Sequence, residues 1–134
     1  MFSQTTEYAL RAMACLASAP GELVPATTLA TRANVPANYL AKVLQQLAGA
    51  GLILGRRGVG GGYRLARSPA DINLLEIVRT VSDLDQATGE CRGCDAVGAL
   101  HATLDRVRIM VTDALAGVTL QSLVEPPEAV PRRP

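Results

Sequence analysis

The chain has 134 residues, enough for one domain with an appendage and a sizeable core. Aromatic residues make up only 3% with no tryptophan, so Leu, Val, Ile and Ala must do the packing. No apolar run approaches the roughly 18 residues of a membrane span, and no basic-then-apolar leader opens the chain. The reading is a cytoplasmic protein with no membrane partner. Three cysteines, an odd number, argue against a structural disulfide framework. The net charge of +1 names no partner, but its distribution does. Residues 1–68 carry seven basic side chains against Glu7 and Glu22, a balance of +5; residues 69–134 carry six against ten, a balance of −4. A basic N-terminal half is the footprint of duplex binding, or a solvated surface that happens to be asymmetric.

Glu7 to Ala17 reads as a first helix, entered from Thr5-Thr6, with Leu10, Met13, Ala14 and Ala17 on one face and Cys15 in its buried part. Pro20-Gly21 ends it, and Pro25 opens a short helix through Ala33. Asn34-Val35-Pro36 is a tight turn into a helix from Ala37, on which Leu40, Val43, Leu44 and Leu47 form one apolar stripe. Gly49 and Gly51 mark its end, since glycine accepts the left-handed backbone of a C-terminal cap. Two helices joined by a short turn, the second polar and exposed at its start, form a helix-turn-helix pattern. Ala37, Asn38, Tyr39 and Lys42 stand on the first turns of that second helix. Asn38 can read adenine, while Lys42 suits a phosphate or guanine. Tyr39 suits either a DNA contact or a partly packed position.

A hairpin follows at once. Leu52-Ile53-Leu54 lead into Arg56-Arg57 and the tip Gly58-Val59-Gly60-Gly61-Gly62, and Tyr63 and Leu65 alternate with Arg64 on the return. A phosphate-binding loop would need Gly-Lys-Ser/Thr before a helix; here a strand follows. A helix that fits the major groove beside a ribbon tipped with arginines is the winged-helix arrangement, with Arg56, Arg57, Gly58, Gly60 and Gly61 expected at the DNA. The same pattern is also ordinary α+β structure.

Beyond Ser68-Pro69, Asn73 and Glu76 make a capping-box signature for a helix burying Leu74, Ile77, Val78 and Val81. Residues 82–96 are polar and irregular and hold Cys91 and Cys94. From about Val97 to Ala116, Leu100, Leu104, Val107, Val111 and Leu115 form a stripe approaching a coiled-coil seam, suited to a dimer interface or to packing within one subunit. Thr119 caps a last short turn, and the proline-rich end reads as disordered. The expected organisation is a mostly α chain with a small β-hairpin. A winged helix-turn-helix domain spans 1–81, a sensor loop 82–96, a dimerisation helix and short terminal helix 97–124, and a disordered tail 125–134.

The run Asn38-Tyr39-Leu40, Leu47, Gly51-Leu52, Arg57-Gly58, Gly61-Gly62-Tyr63 and Leu65 resembles the Rrf2 family of bacterial transcription regulators. The likeness extends from Glu7-Tyr8-Ala9-Leu10 to Thr119-Leu120 and Leu123. The resemblance implies a homodimer on a palindromic operator, with half-sites a helical turn or a multiple apart. Several members hold an iron–sulfur cluster on three cysteines before the long helix. Here Cys91 and Cys94 lie close together and Gly98 stands where a third cysteine is expected. His101 matches a cluster-ligating histidine of the family, and Glu7 matches an acidic position that supplies a ligand from the other subunit. A 2Fe-2S cluster on Cys91, Cys94, His101 and Glu7 is therefore one expectation. Zinc on the same residues, a reversible Cys91–Cys94 disulfide, or no site at all are the alternatives. The overall expectation is a DNA-binding repressor responsive to iron–sulfur, redox or nitric oxide status, and not an enzyme. A small thiol oxidoreductase lacks the βαβ context its Cys-x-x-Cys needs, and a protein-binding winged helix is the third alternative.

Overall fold

A computed structural model describes residues 2–84 and 95–125. The first helix, α1 (Gln4–Ala17), starts three residues before the sequence reading, because the Ser3 hydroxyl accepts the Thr6 amide at 3.2 Å and caps it there. It is the central helix, packed on α2 (Ala26–Ala33), α3 (Ala37–Gly49), α4 (Leu74–Val81) and α6 (Leu120–Val124). Neighbours on several sides bury Tyr8, Ala9, Ala12, Met13, Leu16 and Ala17, a wider face than the expected single stripe; Leu10 and Ala14 are only half-buried. Cys15, expected in the core, is also half-buried at its edge.

Asn34 closes the turn between α2 and α3 in a left-handed conformation (φ 55°), which lets the Val35 amide reach the Ala30 carbonyl at 2.9 Å. Leu40, Val43, Leu44 and Leu47 of α3 are buried as the stripe predicts. The helix runs through Gly49, and Gly51 (φ 76°) takes the left-handed turn instead.

The hairpin strands are β1 (Ile53–Arg56) and β2 (Gly62–Leu65), antiparallel with Ile53 opposite Leu65 and Arg56 opposite Gly62. A third segment joins them: the Val24 amide donates to the Tyr63 carbonyl at 2.9 Å, and the Tyr63 amide donates back to Val24 at 2.8 Å. This exchange explains Gly62, where a Cβ would lie 2.5 Å from the Val24 carbonyl carbon and oxygen. At Gly61 a Cβ would collide with the Arg56 carbonyl oxygen. Backbone crowding leaves room for no side chain at either position.

After a 3-10 turn at Pro69–Asp71, the expected capping box at Asn73 and Glu76 starts α4. Its buried residues are Leu75, Ile77 and Val78, with Leu74 and Val81 only partly covered. The chain end returns to this point: the Leu120 amide donates to the Ile72 carbonyl and the Leu74 amide to Val118, both at 2.9 Å, and Leu120 is fully buried.

Between these lies α5 (Asp95–Ala116), 22 residues long with none buried. It leans on α4 and leaves an apolar cleft lined by Phe2, Val78, Leu84, Leu104 and Val111, with Arg108 at its edge. Leu100, Leu104 and Val107 are 53%, 43% and 42% exposed while Val111 and Leu115 are half-buried, so the described residues cover the stripe only in part. No helix among the described residues is long and apolar enough to cross a membrane. Most of the expected sensor loop, with Cys91 and Cys94, and the tail beyond Glu125 lie outside the described residues.

Candidate nucleic-acid interface

Burying Leu40, Val43, Leu44 and Leu47 turns the opposite side of α3 to solvent. Ala37, Asn38, Tyr39 and Lys42 are all exposed there, and Arg56, Arg57, Gly58 and Gly60 are exposed on the wing, with Gly61 half-buried. Leu44, Gln45 and Ala48 of α3 and Gly55, Arg56, Arg57 and Tyr63 of the wing line one groove, so the helix and hairpin form a continuous surface. On the other side of α3, Thr5, Tyr39, Lys42, Gln45 and Gln46 line a second groove. Gly55 matters to the first, since a Cβ there would come within 3.0 Å of the Tyr63 ring. Tyr39 is half-exposed at 50% and tilts its ring against Tyr8, centroids 6.0 Å apart, so both of its expected roles are compatible with its position.

Several residues of this surface were not singled out from the sequence. Gln45 follows Asn38 by seven residues, a spacing that could have revealed it. Arg64 projects from β2 opposite Leu54 and lines a depression with Arg56 on the outer face of the wing. Arg11 is the most connected. Its guanidinium donates to Glu7 Oε1 at 2.7 Å and to the Asn34 carbonyl at 3.2 Å, and lies 5.9 Å from the centre of the Tyr8 ring. One side chain thus joins the first turn of α1 to the helix-turn-helix corner. No local pattern announces the link to Asn34, which lies 23 residues away.

Glu7 therefore stands in an ion pair with Arg11 on the exposed side of α1. His101 is half-buried on α5, and its Nδ1 is buried with no hydrogen-bond partner among the described residues. No three His, Cys, Asp or Glu side chains converge among the described residues. Cys91 and Cys94 lie outside them. The remaining thiol, Cys15, is pushed above its ordinary pKa by burial, with nearby Arg32 opposing the shift.

Residues 2–126 match the Rrf2 family, described as an iron-dependent transcriptional regulator. The chain is 34% identical over 124 residues to the HTH-type regulator BadM of Rhodopseudomonas palustris, an alignment covering 91% of this chain and 80% of BadM. It is 40% identical over 79 residues to the HTH-type regulator NsrR of Bacillus subtilis, covering 58% of this chain and 54% of NsrR. Among solved structures it resembles CymR, the global cysteine regulator of B. subtilis, with TM-score 0.77 and 27% identity over 92% of this chain and 95% of CymR. It resembles IscR of T. potens with TM-score 0.80 and 25% identity, over 100% of this chain and 93% of IscR. With a family match across nearly its whole length and a winged-helix surface to go with it, the chain belongs to the Rrf2 family of transcription regulators.

Proposed function

We propose that two copies of this chain pair through α5 and bind a palindromic operator as a sequence-specific repressor. The observation that carries the reading is the single groove shared by α3 and the arginines of the wing. A helix presenting Asn38 and Lys42 suits the major groove, and Arg56 and Arg57 suit the flanking backbone or minor groove. Pairing is supported by the stripe of α5, which the described residues leave partly exposed, because a row of half-exposed leucine and valine side chains gains by meeting its own copy.

For the sensing half, the proposed ligands are Cys91, Cys94, His101 and Glu7 of the partner subunit. The Nδ1 of His101, without a partner among the described residues, fits the role of a ligand, and Glu7 can serve by leaving Arg11. A 2Fe-2S cluster held there supplies a centre that responds to redox state and nitric oxide. Arg11 would link occupancy to DNA affinity: with Glu7 engaged at the site, Arg11 would lose its ion pair but keep its bond to the Asn34 carbonyl and its place over the Tyr8 ring, loosening the tie between α1 and the corner ahead of α3. The second reading needs no metal. CymR of Staphylococcus aureus has been solved in an oxidized form, and the Cys91–Cys94 pair suits a reversible disulfide.

Gel retardation with genomic fragments tests the DNA reading: a discrete fragment should be retained at physiological salt, and retention of none would exclude it. Protein isolated without air, with iron, sulfide and zinc analysis, tests the sensor. Iron with sulfide and a visible spectrum abolished by Cys91→Ser and His101→Ala is expected for the cluster; colour retained in both variants removes these residues as ligands.

A further inference from the structure

Gln45 lines both grooves of the candidate interface, the one towards the wing and the one towards Thr5 and Lys42. It therefore stands on the ridge between them, in the middle of the surface. Its carboxamide is exposed and has no hydrogen-bond partner among the described residues, whereas Gln121 spends its amide on Glu125. Around Gln45 on the exposed side of α3 stand Ala41, Lys42, Ala48 and Gly49. Ala41, Ala48 and Gly49 leave its amide open on their sides, while Lys42 stands one turn towards Asn38. A Cβ at Gly49 would meet open space, so the fold itself does not require a glycine at that point.

Helical geometry sets its relation to Asn38. Seven residues make about two turns, which places the two carboxamides on one side of α3, about 10.5 Å apart along the axis. Base pairs stack about 3.4 Å apart, so this interval projects onto at most about three steps, fewer as α3 tilts across the groove. A carboxamide pairs in bidentate fashion with adenine, donating to N7 and accepting from N6, and no other base edge in the major groove offers that donor–acceptor order. Lys42 lies between the two, and its ammonium suits guanine or a phosphate.

We propose that Gln45 is a second specificity-determining residue, so that each half-site holds two A·T pairs no more than about three steps apart, one read by Asn38 and one by Gln45. The proposal rests on α3 being the DNA-reading helix. The test is selection from a random duplex pool by the full-length dimer, its Q45A and N38A variants, and K42A, with affinities measured over a salt series. Wild-type protein should select the spaced A·T pairs. Q45A should lose about ten- to a hundredfold of discrimination at one of them, keep the other, and leave the salt dependence unchanged. N38A should do the converse, and K42A should lower the salt slope if Lys42 meets phosphate. A Q45A variant that selects the wild-type motif, or that weakens binding equally on all sequences with a shallower salt slope, overturns the proposal while leaving DNA binding by α3 intact. A wild-type protein that selects no motif overturns both. Gln45 is exposed and alanine is a strong helix former, so circular dichroism should show Q45A folded.

Discussion

Replacing Leu104 by alanine probes the α5 stripe where subunit folding and subunit pairing separate. Leu104 keeps 43% of its surface exposed within one subunit. Burying a whole leucine side chain stabilises by about 1.5–3 kcal/mol, so covering this remaining fraction is worth about 1 kcal/mol. A twofold interface counts the loss twice, giving about 2 kcal/mol per dimer, or about a thirtyfold weaker dimerisation constant. Sedimentation equilibrium over a hundredfold concentration range should show the shift, and Leu104→Glu, which sets a carboxylate in the seam, should give monomers throughout. The separate cost within the subunit should stay well below that of a core truncation, because Leu104 only borders the cleft against α4. Wild-type protein that is monomeric at micromolar concentration, or a Leu104→Glu dimer as tight as wild type, would refute the assignment of α5 as the pairing helix.

Four further substitutions address the wing, the end of α3 and the corner. Arg57→Ala should weaken operator binding on all sequences and reduce the salt slope by about one per half-site, with the dimer unchanged; equal affinity across the salt series would show that the wing does not touch DNA. Gly62→Ala should cost roughly 2–4 kcal/mol and lower the melting temperature by about 10 °C or more, because the new methyl group meets the Val24 carbonyl. Gly49→Ala, facing open space on a helix, should instead stabilise by about 0.5 kcal/mol in the same calorimetric measurement. Arg11→Ala should change stability by less than about 1 kcal/mol, since its pair with Glu7 is largely exposed, yet weaken DNA binding about five- to tenfold by freeing the Asn34 corner. Parallel urea titration and retardation assays separate the two effects, and a loss of affinity no larger than the loss of stability would argue against Arg11 as the link.

Much of this architecture follows from local chemistry. The spacing of Leu40, Val43, Leu44 and Leu47 specifies a helix and its buried side, Asn73 with Glu76 specifies where α4 starts, and the arginine–glycine run specifies a hairpin tip. These features rest on neighbours within a few residues, so they can be read without knowing the fold. Other features required the chain to meet itself. The exchange of hydrogen bonds between Val24 and Tyr63, the reach of Arg11 to Asn34, and the return of Leu120 to Ile72 join residues far apart in sequence. Only the packed structure shows that Gly61 and Gly62 are crowded by backbone, that the described residues cover the α5 stripe only in part, and that Gln45 stands between two grooves. Periodicity tells which side of a helix is apolar; what covers that side, and what the opposite side faces, depends on where distant segments come to rest.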